Sequence, residues 1–94
     1  MASNFLYGPY AFVSTFGAPP GTVHSWTFGP WDWYADAVTI TAHPLALSGA
    51  DRRMKVTDIV VRAAPNGDRF VSCNVTNVGP DSANYAVWVG GVKP

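Results

Sequence analysis

Hydrophobic and polar positions alternate along most of this chain with a period of two, interrupted by short stretches rich in glycine and proline. Half-buried strands joined by tight turns give that pattern, and it predicts an all-β chain without βαβ units. A first run over 10–16 follows the Gly8-Pro9 break and closes at Gly17-Ala18-Pro19-Pro20-Gly21. The second strand covers 22–28, with His24, Trp26 and Phe28 on one face and Val23, Ser25 and Thr27 on the other. In the third, 37–43, Val38, Ile40 and Ala42 point inward and Thr39, Thr41 and His43 outward. A polar bend leads into a fourth strand over 54–64, which Pro65-Asn66-Gly67-Asp68 turns. Asn66-Gly67 supplies the two positive-φ positions of a type I′ turn, so 54–64 is expected to pair antiparallel with 69–78. A second hairpin follows, turning at Gly79-Pro80-Asp81-Ser82 and returning over 84–89 with Tyr85, Val87 and Val89 inward and Trp88 outward. Phe5, Leu6 and Tyr7 are open to pairing as an edge strand of the same copy or to swapping into another. Six or seven strands fit one antiparallel immunoglobulin-like β-sandwich over 1–94, with a small Greek-key barrel as the alternative.

Composition sharpens this picture. Ninety-four residues make one core, and 48% apolar residues can fill it. The chain has no Glu or Gln and only 3 Leu, against 12 Val and 7 Thr, so good helix formers are nearly absent. Charged residues are 13%, about half the usual quarter, and cancel to zero, which excludes a nucleic-acid footprint of clustered Lys and Arg. Cys73 is the single cysteine, so neither an internal disulfide nor a zinc ribbon can form. It shares a face with Val71 and Val75 and reads as a small buried hydrophobe. Met1-Ala2-Ser3-Asn4 lacks the basic and apolar segments of a secretory leader, and no run is long enough for a membrane helix. As written the chain starts in the cytoplasm, with a surface or extracellular role left open. Asn74-Val75-Thr76 matches a glycosylation acceptor but lies within a strand.

Three segments carry a family resemblance: Met54-Lys55-Val56-Thr57-Asp58-Ile59, Cys73-Asn74-Val75-Thr76-Asn77-Val78-Gly79 and Tyr85-Ala86-Val87-Trp88-Val89. With the V-x-N-x-G step at Val75–Gly79, the last 40 or so residues resemble the bacterial cell-adhesion-related (CARDB-type) immunoglobulin-like domains. The resemblance implies a fold and an extracellular binding or spacer habit. It implies no catalytic residues.

Catalytic chemistry finds little support in the residues themselves. Ser25 follows His24 directly, so the two point to opposite faces and cannot form a nucleophile–base pair. His43 precedes Pro44 at a strand end, where solvation suffices to explain it. A metal site would need His24, His43, Asp32 and Asp36 to converge, without any HxH or HExxH spacing. Asp51, Asp68 and Asp81 lie in turns, and Asp58 is expected at an exposed edge or paired with an Arg. The chain therefore reads as non-enzymatic, with neither cofactor nor metal.

What turn and core chemistry leave over is Phe28-Gly29-Pro30-Trp31-Asp32-Trp33-Tyr34. These rings form a lid on the sandwich, a subunit contact, or a platform on which sugar faces stack. The expectation is a lectin-like module for a neutral carbohydrate, acting as a homo-oligomer. Trp31, Trp33, Tyr34 and Trp88 would do the stacking, while Asp32, Asp36 or Asn84 would bond to hydroxyls. The alternative is a self-assembling structural subunit, such as a surface or virion decoration protein, with the same aromatics between copies. Low charge and edges poor in Lys favour association in either case.

Overall fold

A computed structural model describes residues 3–33, 37–45 and 49–93. It has six strands: β1 (Ser3–Phe12), β2 (Val23–Trp31), β3 (Ala37–Pro44), β4 (Met54–Ala63), β5 (Arg69–Asn77) and β6 (Tyr85–Lys93). They form two three-stranded antiparallel sheets, ordered β1-β6-β3 and β2-β5-β4. Among the described residues no helix is long and apolar enough to cross a membrane.

The inward phases of both sheets meet in one core of Phe5, Ile40 and Val87 from the first sheet with Phe28, Val71 and Val75 from the second. β1 overlies β2, as cross-sheet ring contacts show: Tyr10 lies 5.0 Å from Phe28 and Phe12 lies 4.5 Å from His24, centre to centre. Along the opposite margin β3 approaches β4. First pairs with last, second with fifth, and third lies beside fourth, the order that results when one long two-stranded ribbon rolls up on itself.

Several expectations are corrected. The first strand runs over Ser3–Phe12, so Phe5, Leu6 and Tyr7 pair within the same chain, opposite Gly91, Gly90 and Val89. Beyond Phe12 the chain leaves the ladder because the Asn84 amide takes both backbone groups of Ser14, accepting from N at 2.9 Å and donating to O at 3.1 Å. Gly8-Pro9 is a bulge within β1 rather than a break before it. β6 continues through Gly90 and Gly91, where Leu6 lies over the first and the Ala37 carbonyl, with Phe5 behind it, fills the space a side chain would need at the second. The second expected hairpin does not form. β5 and β6 lie in different sheets, and the crossover between them is pinned by Asn77, whose amide donates to Ala18 O and Asp81 O and accepts from Gly79 N.

The β4–β5 hairpin does form, with a different turn. Gly67 has a φ of 95° and donates to Ala64 O at 3.0 Å, while Asn66 keeps a negative φ. Pro65 sets the first corner of a type I turn, and Gly67 takes the left-handed position after it.

Both outer strands β1 and β2 carry the same device, an aromatic–Gly–Pro–aromatic bulge at Tyr7–Tyr10 and at Phe28–Trp31. The central strand of each sheet lays a ring over the glycine: Trp88 over Gly8, Phe70 over Gly29. A Cβ on Gly29 would meet Arg69 O at 2.6 Å, and φ there is +126°. Gly29→Ala is therefore expected to lose about 2 kcal/mol or more of stability, read as a lower urea midpoint with unchanged slope.

Candidate functional site

Period-two alternation on β2 sends His24, Trp26 and Phe28 into the sandwich, under β1 and β6. There they meet Tyr85, which is 0% exposed. A buried phenol needs partners for its hydroxyl. Trp26 Nε1 donates to it at 2.9 Å, and His24 Nδ1 lies 2.6 Å away. Indole N–H can only donate, so the hydroxyl accepts from Trp26 and shares its second hydrogen bond with His24 Nδ1. Phe12 stacks on the phenol and packs at a tilt against the imidazole.

Farther along the same margin the rings become accessible. Trp31 and Trp33 stack in parallel, 4.8 Å apart and 4° from coplanar, and pack against Phe5 and Tyr7. Lys93 Nζ sits 5.1 Å from the Trp33 ring. Beside this stack an open cleft of about 350 Å³ is lined by Tyr10, Trp26 and the segment 27–31. None of those side chains is charged.

Of the residues expected to form one site, Trp31 and Trp33 come together, whereas Asn84 and Trp88 lie elsewhere. Trp31 ends β2 as a strand residue, Asp32 follows exposed, and Trp33 folds back on the stack; Tyr34 and Asp36 lie outside the described residues. Asn84 lies at the opposite end of β6 with its amide committed to Ser14. Trp88 is half-buried on the outer face of the β1-β6-β3 sheet, across from Thr41. Trp31 and Trp33 stack over Phe5 and Tyr7, and Trp31 also lines the accessible cleft, together with Pro30 of the same aromatic stretch and with Tyr10 and Trp26, which lie outside it. The repeated aromatic–Gly–Pro–aromatic pattern is the signal in the sequence for Tyr10 and Pro30, and the inward phase of β2 is the one for Trp26.

Convergence of His24, His43 and Asp32 is ruled out by their positions. His24 faces Tyr85 inside, His43 bonds Thr41 Oγ1 on the outer face of the other sheet, and Asp32 lies past the far end of β2. Among the described residues no three His, Cys, Asp or Glu group together as metal ligands. Asp58 sits exposed at the β4 bulge with φ 56° and accepts from Asn74 at 3.1 Å. In the turns, Asp51 pairs with Arg53 at 2.6 Å, Asp81 accepts from Asp51 N, and Asp68 accepts from Asn66. These contacts are local and structural.

No family model, curated protein or solved structure matches this chain.

Burial pushes the Tyr85 phenol above its ordinary range; the neighbouring Cys73 adds to this, and the Trp26 hydrogen bond partly opposes it. Burial likewise raises the Cys73 thiol. Both groups are neutral when protonated, so each supports the fold fully below its unfolded pKa and withdraws that support as pH rises through the folded one. Stability is expected to fall from about pH 8.5 upward, with the tyrosine contribution starting near 10. Urea melts from pH 7 to 11 check this, and Cys73→Ala should remove the earlier part of the loss.

Proposed function

We propose that the protein is a non-enzymatic recognition module that binds a neutral carbohydrate in the aromatic cleft at the β1–β2 margin. One observation carries this reading: a concavity within the size range of small-ligand sites, lined by Tyr10, Trp26 and Trp31 and free of charged side chains. Ring faces pack on the C–H faces of sugars, and an uncharged wall imposes no desolvation cost on fixed charges when a neutral ligand enters. Tyr10 is 38% exposed and offers its ring at the rim. Trp26 is held from behind by its bond to Tyr85, so the wall is set before a ligand arrives.

For the fold, the strand order supports a rolled-ribbon sandwich of the jelly-roll kind over the immunoglobulin-like one. The immunoglobulin arrangement groups strands A, B, E and D against C, F and G, whereas here first and last strands are neighbours. The resemblance to cell-adhesion-related domains falls on β4, β5 and β6 and agrees with a binding habit at a surface.

Self-assembly is the second reading, and a specific surface favours it. Exposed apolar residues gather where β1, β3 and β5 end and β2 begins: Val13, Phe16, Val23, Leu45 and Val78, with Phe16 87% exposed. In this reading copies meet through that pole and leave the aromatic cleft free.

Titration with neutral oligosaccharides, followed by tryptophan fluorescence, tests the first reading. Wild type is expected to respond, and Tyr10→Ala to bind roughly tenfold more weakly, as the loss of one stacking ring implies. An unchanged Tyr10→Ala affinity would exclude the cleft. Light scattering on Phe16→Ser tests the second: an oligomer should fall to monomer with the sugar response intact.

A further inference from the structure

The two sheets differ in a way that the cleft does not use. Strands β2, β5 and β4 carry Lys55, Asp58, Arg62 and Arg69, whereas across β1, β6 and β3 the charged residue is Lys93 at the very end. The outer face of the β1-β6-β3 sheet therefore presents no charge over nearly its whole length. At its centre the half-buried Trp88 lies over Gly8, where a Cβ would come within 2.9 Å of the ring. Thr41 stands directly across the strand pair from it, and His43 Nε2 is 3.1 Å from Thr41 Oγ1. Leu6 and Thr39 close over Gly90 alongside.

The matching position on the other sheet makes the difference plain. Phe70 lies over Gly29 as Trp88 lies over Gly8, but the residue across from Phe70 is Arg62, whose guanidinium sits 5.7 Å from the ring. One ring is capped by a cation from the neighbouring strand. The other has a small hydroxyl there instead, with an imidazole beside it.

We infer that this outer face is a second binding site, a flat platform for the face of a neutral polysaccharide chain. Trp88 stacks on the sugar, while the Thr41 hydroxyl and the His43 imidazole bond to its hydroxyls. A neutral occupant fits because a charged polymer would find no counter-charge across this face. A second copy of the chain fits less well. Three strands about 4.8 Å apart and eight residues long offer roughly 14 by 26 Å of flat face, well below the ~800 Å² per partner of a stable interface. The inference does not rest on the cleft, which lies on the inner margin of β1.

Sedimentation with microcrystalline cellulose, chitin and granular starch tests it, with circular dichroism as the check on folding. Wild type is expected to bind at least one solid. Trp88→Leu should bind that solid roughly tenfold more weakly, as the loss of a stacking ring implies. The exposed double variant Thr41→Val/His43→Ala should keep the wild-type spectrum and also bind more weakly, whereas Tyr10→Ala should bind as wild type. If Trp88→Leu does not fold, the double variant decides alone. Four results overturn the platform: no solid retains wild type, folded Trp88→Leu or the double variant binds unchanged, Tyr10→Ala loses the binding, or Trp88→Leu turns a dimer into a monomer.

Discussion

One buried phenol ties the two layers together. Tyr85 begins the central strand of one sheet, and its hydroxyl bonds to side chains of the other, Trp26 and His24. Apolar packing alone tolerates sliding between layers, whereas a hydrogen bond in a dry interior works at one separation and one register. β1 depends on this pairing because Phe12 rests on both the phenol and the imidazole. So does the cleft, because Trp26 is held at its inner side through the indole N–H.

Around that tie the fold repeats one device. β1 and β2 overlie each other, and each bends at an aromatic–Gly–Pro–aromatic bulge; each glycine lets the central strand's ring lie across it. Bulges re-aim side chains at sheet edges. Here they turn Tyr10 and Trp31 toward the open margin between the layers, and a cleft results where two flat edges would have closed. Aromatic residues are thus used three ways within one small domain: sealing the core at Phe28 and Phe5, stacking as a lid at Trp31 and Trp33, and facing outward at Trp88.

Charge is distributed with the same economy. Arg53 pairs with Asp51 in a turn and Arg62 lies over Phe70 on the β2-β5-β4 sheet, while on the other sheet Lys93, at the end of β6, lies over Trp33. The cleft and the opposite outer face are left neutral, and both proposed sites follow from that neutrality. The apolar pole near Phe16 lies just beyond the ends of β1 and β3, with Arg52 beside Phe16 and Leu45.

The strand content, the inward phase of Tyr85, Val87 and Val89, the burial of Cys73 and the β4–β5 hairpin were legible along the chain, because a period of two and a Pro-Asn-Gly turn are local properties. The aromatic stretch was legible as unusual, and Trp88 as outward. Which strands become neighbours was not, since β5 and β6 are joined by a turn-like segment that Asn77 converts into a crossover through bonds to Ala18, 59 positions away. Gly90 and Gly91 read as a strand end in the sequence, yet Leu6 of β1 and the Ala37 carbonyl of β3 occupy the space beside them. The partnership of His24 with Tyr85 left no trace in spacing, and the separation of Asn84 and Trp88 from Trp31 is a matter of ends and faces. Alternation encodes which side a residue faces, a choice made within a few residues. Only the packing of two sheets decides what stands opposite it, because that depends on contacts between segments whose order in space the turns alone do not dictate.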